Sequence, residues 1–307
     1  MKKIFVTTST FCQFLKKPLE LLQEKNFEVV FNSFKRKLSD SELKSEIAQF
    51  DGVIAGTEVY DRHVLDAAET LKVISRVGVG LDNIDLDYAS EKGIKVFKIQ
   101  TTPAPAVAEL ALCLILDLMR KIVEQSNNLN NGVWKKQMGS LLKGKRLGII
   151  GLGTIGKKLV EITSGLQLKY LAYDIIKDET FSEEHNVKYC DLSYLMENSD
   201  IISVHLNMTN ENADLVNMRR LKKMKPSSII INTSRGEIIN EHDLELAVKN
   251  GIIAGAGLDV FKEEPYYGPL TNYENVILTP HIGSYAKEIR MVMELEAVNN
   301  LIKGLNI

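Results

Sequence analysis

Short β-branched runs alternate with longer amphipathic stretches along nearly the whole chain. Residues 4–6, 28–31, 52–55, 72–75 and 95–97 predict five buried strands, with helical patterns such as 18–24 and 40–49 between them. Strands alternating with helices imply βαβ units and a parallel sheet covered on both faces. The rhythm breaks at one long helical pattern, 105–128, whose first half is apolar all round (Ala108, Leu110, Ala111, Leu112, Leu114, Ile115, Leu116). Such a helix is expected to be buried, between domains or against another subunit, with Cys113 in the core. After a polar segment, 127–145, a second series places strands at 146–150, 170–173, 201–204, 228–232, 252–258 and 275–278. A last helical pattern, 287–302, has no strand after it. The chain therefore reads as two doubly wound parallel-sheet α/β domains with a cleft between them. One covers 1–100 and is completed by the C-terminal helix, 284–307; the other covers 101–283.

Composition narrows the class. Of 307 residues, 45% are hydrophobic and 25% charged, with 38 basic against 40 acidic residues and a net charge of −2. Those are ordinary globular values, and they offer no electrostatic reason to bind nucleic acid or an anionic membrane surface. The apolar run 110–116 is too short to span a bilayer. Met1-Lys2-Lys3 leads into only three apolar residues, so no signal peptide is expected. Cys12, Cys113 and Cys190 are isolated and odd in number, which favours a reducing, cytoplasmic setting, and no metal site is expected from them.

The first chemistry lies where the strand at 146–150 runs into Gly151-Leu152-Gly153-Thr154-Ile155-Gly156 and a helical pattern follows. A lone GxGxxG is weak, but strand before, helix after and Asp174 closing the next strand are the context of a dinucleotide site. Gly151 would allow the tight turn, Gly153 the approach of a pyrophosphate, and Gly156 the close packing of helix on strand. The helix N-terminus, at Thr154 and Ile155, would present free N–H groups to the phosphates. Asp174 would accept from the adenosine ribose hydroxyls and repel a 2′-phosphate, which predicts NAD rather than NADP; Lys177 nearby is expected to be solvated.

Three more segments stand at strand ends of the second domain, where an open sheet binds ligands. They are Asn232-Thr233-Ser234-Arg235-Gly236, Asp259-Val260-Phe261-Lys262-Glu263-Glu264-Pro265 and Thr279-Pro280-His281-Ile282-Gly283-Ser284. Each alone has an ordinary loop reading. Together they supply what hydride chemistry on a 2-hydroxy acid requires: a cation for the carboxylate, a proton carrier, and a partner that orients the carrier. Arginine offers a bidentate fork and histidine titrates near neutral pH. Either Glu263 or Glu264 is close enough in sequence to be the partner.

These motifs resemble the D-isomer-specific 2-hydroxyacid dehydrogenases over almost the entire chain. The resemblance implies a Rossmann NAD-binding domain, a flavodoxin-like substrate domain, and interconversion of a D-2-hydroxy acid with its 2-oxo acid. It implies Arg235 as the substrate-carboxylate ligand, His281 as general acid/base and Glu264 as its partner. It places His205, Leu206, Asn207, Thr233, Ser234, Asp259, Gly283 and Ser284 along the cofactor. In the first domain, 76–85 (Arg-Val-Gly-Val-Gly-Leu-Asp-Asn-Ile-Asp) matches the family's substrate loop. Val79 and Gly80 would turn backbone N–H groups to the substrate as an anion nest. Val107-Ala108-Glu109 matches the start of a helix that forms the family's dimer core, so a homodimer is implied.

Arg76, together with Trp134 and Met138-Gly139, resembles the short 3-phosphoglycerate dehydrogenase branch, and Lys135 and Lys136 could add phosphate contacts from a partner subunit. The expected substrate pair is then 3-phosphoglycerate and 3-phosphohydroxypyruvate. The alternative is glyoxylate, hydroxypyruvate or another unphosphorylated D-2-hydroxy acid. An NAD-sensing regulatory protein is the alternative from another class, against which an intact Arg235, Glu264 and His281 speaks. The chain stops without the C-terminal regulatory extension of longer members, so feedback through such a domain is not expected. Lys98-Ile99-Gln100 and Pro103-Ala104-Pro105 depart from the family pattern.

Overall fold

The computed structural model describes residues 1–306, which divide into one unit of 1–102 with 285–306 and a second of 103–284. In the first unit β1 (Lys3–Val6), β2 (Glu28–Phe31), β3 (Gly52–Ala55), β4 (Val73–Arg76) and β5 (Lys95–Phe97) form a parallel sheet in the order β2-β1-β3-β4-β5. Phe5 pairs with Val53 and Ile54 with Ser75, so the β-branched runs lie side by side at the centre. The helix Lys287–Gly304 covers one face. A Cβ on Gly304 would lie 2.9 Å from Val73, and one on Gly52 would lie 2.9 Å from Leu301, so both glycines admit the close approach. The Ser75 hydroxyl donates to the Ala297 carbonyl at 2.7 Å, which satisfies a polar group inside this interface.

The second unit carries β6 (Arg146–Ile150), β7 (Lys169–Tyr173), β8 (Val187–Tyr189), β9 (Ile201–Val204), β10 (Ile229–Asn232), β11 (Gly255–Leu258) and β12 (Val276–Leu278). Their order is β12-β11-β10-β9-β6-β7-β8, parallel throughout. Ile230, Ile202 and Leu258 point into one apolar cluster, while Ile231, Ile229 and Ile201 point into the other. Alternation along each strand buries both faces. The first βα turn, after β6, stands beside β9, where the strand order reverses; this is where doubly wound sheets hold their ligands.

Several local expectations are corrected. The 105–128 pattern is two helices, Ala104–Arg120 and Ile122–Asn130, parted at Lys121, which has φ 57°. The backbone at Gly139 crosses this break: the Ser140 N–H donates to the Met119 carbonyl at 2.8 Å, and a Cβ on Gly139 would lie 2.7 Å from the same oxygen. The first of the two helices buries Ala108, Ala111, Leu114 and Ile115 against the second unit's own sheet. Cys113 is exposed rather than core, because it falls on the opposite side of that helix. β8 was not expected: three residues with a lysine in the middle make too short an edge strand to show a pattern. β11 starts at Gly255, since Ile252 and Ile253 belong to the preceding turn, where the Ile252 N–H donates to the Ala247 carbonyl.

Candidate active site

The three glycines of the first βα turn differ in what surrounds them. Gly151 has φ 96°, a conformation L-residues avoid, and a Cβ there would lie 2.8 Å from the His205 carbonyl carbon and oxygen. A Cβ on Gly156 would overlap the Gly151 oxygen, so that glycine lets the helix Thr154–Thr163 seat on the turn. At Gly153 a Cβ meets nothing within 4 Å. Its neighbourhood is open space at the N-terminus of a ten-residue helix whose N-cap has no side-chain hydrogen bond. Open space and backbone donors together are what a pyrophosphate needs, so the residues fit a dinucleotide.

Asp174, after β7, is fixed by two backbone donors, Leu152 N–H at 2.7 Å and Ile176 N–H at 3.0 Å. The carboxylate is thereby held against the glycine turn with lone pairs left for ribose hydroxyls. The Lys177 ammonium lies over the Tyr189 ring, 5.7 Å from its centroid. His205 follows β9, its N–H bonded to the Ile150 carbonyl and its Nε2 to the Ser203 hydroxyl at 2.8 Å. Burial lowers its pKa to about 4, so the ring is neutral at pH 7. The neighbouring Asn207 carbonyl accepts from Asn212 at 3.0 Å, and Leu206 packs against the glycine turn. His205 Nδ1 and the Thr233 hydroxyl are buried without a hydrogen-bond partner, and buried polar atoms of that kind call for a further partner.

The ends of β10, β11 and β12 assemble the second constellation. Both Glu264 oxygens lie within hydrogen-bond distance of His281 Nδ1, at 3.0 and 2.9 Å. Glu264 is half-buried while Glu263 is exposed, which settles which glutamate meets the histidine. His281 itself has φ 54°, and its N–H donates to the Asp259 and Thr279 carbonyls at 2.9 and 3.0 Å. The Asp259 carboxylate, 1% exposed, accepts from the Thr279 hydroxyl at 2.6 Å and from the N–H groups of Ile282 and Gly283 at 2.8 and 2.7 Å. Burial pushes the Asp259 carboxyl upward, against these hydrogen bonds. Asp259 therefore holds the His281 loop in shape, and Ser284 follows directly on that loop.

Arg235 is set by Asn232, a residue of the same motif to which the sequence gives no role of its own. The Asn232 side-chain oxygen accepts from the Ser234 N–H and hydroxyl at 3.1 and 2.8 Å, and its amide donates to the Arg235 carbonyl at 2.8 Å. A Cβ on Gly236 would overlap the backbone of Phe261 and Lys262. Only glycine lets the arginine turn lie against the loop that carries Glu264. A strand-end Asn followed by Ser at i+2 was the available signal for that role.

In the first unit, Arg76 ends β4 and is 8% exposed, and its guanidinium occupies the space a Gly78 side chain would need. Val79 is 41% exposed and Gly80 half-buried. Behind this loop lie Thr7, Glu58 and Tyr60, all buried and none singled out from sequence. Burial, then Glu58, raises the Tyr60 hydroxyl well above its usual range. The departing segment at 98–101 is tied to the C-terminal helix: Gln100 and Thr101 N–H groups donate to Glu296 at 2.5 and 3.0 Å, and Asn300 donates to the Lys98 carbonyl at 3.2 Å. Lys135 and Lys136 are exposed.

The sequence profile of the D-isomer specific 2-hydroxyacid dehydrogenase NAD binding domain matches residues 112–283. The glyoxylate reductase of Thermococcus litoralis is 39% identical over 271 residues, 85% of this chain and 82% of that protein. The D-3-phosphoglycerate dehydrogenase of Archaeoglobus fulgidus is 36% identical over 279 residues, 88% of this chain and 53% of that protein. The crystal structure of a protein from Thermus thermophilus matches with a TM-score of 0.87 at 31% identity, covering 99% of this chain and 97% of that one.

Proposed function

The chain belongs to the D-isomer specific 2-hydroxyacid dehydrogenase family, and from that premise we propose that it reduces short unphosphorylated 2-oxo acids, glyoxylate or hydroxypyruvate, to their 2-hydroxy acids. The reaction class is NAD-dependent interconversion of a D-2-hydroxy acid and a 2-oxo acid. The observation that carries its chemistry is the doubly bonded Glu264–His281 pair beside the Arg235 turn.

Glu264 occupies Nδ1, which leaves Nε2 as the atom that hands a proton to the carbonyl oxygen on reduction and takes it back from the hydroxyl on oxidation. The positive charge the ring acquires in the oxidative direction is balanced by the Glu264 carboxylate. Arg235 receives the substrate carboxylate through its guanidinium fork and polarises the neighbouring carbonyl. In the first unit, the Val79 and Gly80 N–H groups would offer an anion nest to a carboxylate. The dinucleotide, which supplies or accepts the hydride at C2, would be held by Gly151, Gly153, the Thr154–Ile155 amides and Gly156. Asp174 would bind the adenosine ribose, and His205 to Asn207, Thr233, Ser234, Asp259, Gly283 and Ser284 would line the remainder. The unpartnered His205 Nδ1 and Thr233 hydroxyl are natural partners for ribose and carboxamide groups.

The extent of the Thermococcus litoralis match along both proteins favours the unphosphorylated acids. A second reading, 3-phosphoglycerate, is favoured by Arg76 and by similarity to the Archaeoglobus fulgidus enzyme. We also propose a homodimer. Ile122, Leu129, Trp134, Met138 and Leu141 are 55–92% exposed on one arm of the second unit, and apolar surface concentrated in that way marks a protein interface.

The deciding experiment is NADH oxidation with glyoxylate, hydroxypyruvate, pyruvate and 3-phosphohydroxypyruvate, run with wild type and His281→Ala. The unphosphorylated acids should give the highest kcat/KM, and His281→Ala should lose about 10²–10⁴-fold while still binding NADH. Preference for the phosphorylated acid would put the second reading first, and full activity in the variant would remove His281 from the mechanism.

A further inference from the structure

We propose that Glu58 is the specificity-determining residue of the substrate-binding unit: its carboxylate fills the anion position at the sheet's switch point and so excludes 2-oxo acids that carry a second anionic group, such as a phosphate ester. The inference rests on the reaction proposed above and adds the residue that sets its substrate class.

In an open parallel sheet, ligands settle outside the carboxyl ends of the strands where the strand order reverses. In the order β2-β1-β3-β4-β5 that point lies between β1 and β3. The chain leaving β1 supplies Thr7, and the chain leaving β3 supplies Gly56 and Glu58. The Gly56 N–H, the first amide beyond β3, points at Glu58 Oε2 at 3.0 Å and at Thr7 Oγ1 at 3.1 Å. The Thr7 hydroxyl donates to the same Glu58 oxygen at 2.7 Å. A backbone amide and a hydroxyl converging on one oxygen form the kind of concavity that binds anions, and here the anion belongs to the protein.

The site is built rather than incidental. Glu58 is 3% exposed and Thr7 fully buried. The Asn83 amide donates to the Glu58 carbonyl at 2.6 Å, and the Tyr60 N–H donates to the Asn83 carbonyl at 2.8 Å. Glu58 is thereby tied to the loop after β4 that carries Val79 and Gly80. The Thr8 hydroxyl, also next to β1, is buried without a partner, so a further donor stands at the same strand end. In this proposal, a substrate held by that loop would have its distal group facing this strand end. A hydroxyl or hydrogen there is tolerated, whereas a phosphate meets a carboxylate in a poorly screened setting and finds its donors already taken.

The test compares kcat/KM for hydroxypyruvate and 3-phosphohydroxypyruvate in wild type, Glu58→Gln and Glu58→Ala, with inorganic phosphate as a competing inhibitor. Wild type should favour hydroxypyruvate by about tenfold or more and resist phosphate. The phosphorylated-to-unphosphorylated ratio should rise about tenfold in Glu58→Ala, which frees both donors, and severalfold in Glu58→Gln, which removes only the charge. Phosphate should then compete with hydroxypyruvate in the variants. A purely structural Glu58 would lower both activities together and leave the ratio alone. Should Glu58→Ala not fold, Glu58→Gln keeps the shape and both hydrogen bonds and carries the comparison. An unchanged ratio in an enzyme that reduces hydroxypyruvate overturns the inference and leaves the reaction standing, whereas a wild type that prefers the phosphorylated acid overturns the inference together with the unphosphorylated reading. A wild type that reduces neither acid overturns the proposed reaction itself.

Discussion

At the scale of single residues, the second unit shows two histidines held in opposite ways. His281 is half-exposed and engaged at Nδ1 by a carboxylate, a setting suited to a proton carrier. His205 is buried, with only the Ser203 hydroxyl at Nε2, and desolvation lowers its pKa to about 4 from 6.5. The unfolded chain therefore binds a proton that the native state refuses as pH falls below 6.5. Stability from this group is complete above that pH, is lost between about 6.5 and 4, and falls no further once the native ring also protonates. The loss amounts to roughly 3 kcal/mol at about 1.4 kcal/mol per pH unit. Urea midpoints measured from pH 7.5 to 4 should therefore fall more steeply for wild type than for His205→Gln. Parallel curves would show that His205 does not carry the acid sensitivity.

At the scale of elements, the site depends on two loops pressed together at Gly236. The arginine turn is shaped by Asn232, the His281 loop by Asp259, and the glycine lets the turn after β10 approach the Phe261–Lys262 backbone. Gly236→Ala places a methyl group inside that backbone, a mechanism that costs on the order of 1–3 kcal/mol or more. The turn has to move, and Arg235 with it, while the Gly151–Gly156 turn on β6 is untouched. Gly236→Ala should lower the melting temperature and cut kcat/KM by about 10²-fold or more, with NADH affinity retained within a few fold. A variant with wild-type melting and turnover would show that the contact is not what holds the arginine. The sequence marked Arg235 and its glycine, but the reason for the glycine is the backbone of Phe261 and Lys262, too far along the chain for any local pattern.

At the scale of the whole molecule, the alternation of strands and helices predicted both parallel sheets, since buried strands and covering helices leave strong periodic signals. The signal failed where neighbouring chain intervenes: Lys121 breaks a helix that the apolar pattern runs straight through, because 139–140 crosses there. The apolar arm beyond that break, with Trp134 81% and Met138 92% exposed, is the surface on which the homodimer should form. Trp134→Glu with Met138→Glu should give monomers by light scattering after size exclusion, with far-UV circular dichroism unchanged. A dimer that survives both charges would place the interface elsewhere.

The sequence determined the two parallel sheets and the dinucleotide turn and proposed an arginine, a glutamate and a histidine for the chemistry, because each is written in a local period or a short motif. Only the tertiary structure shows why Gly236 must lack a side chain, what Asn232 and Asp259 hold, and that Glu58 is buried against Thr7 and Gly56. Those outcomes depend on contacts between residues far apart in the chain, and hydrogen bonding and close packing between distant segments leave no periodic trace in either segment alone.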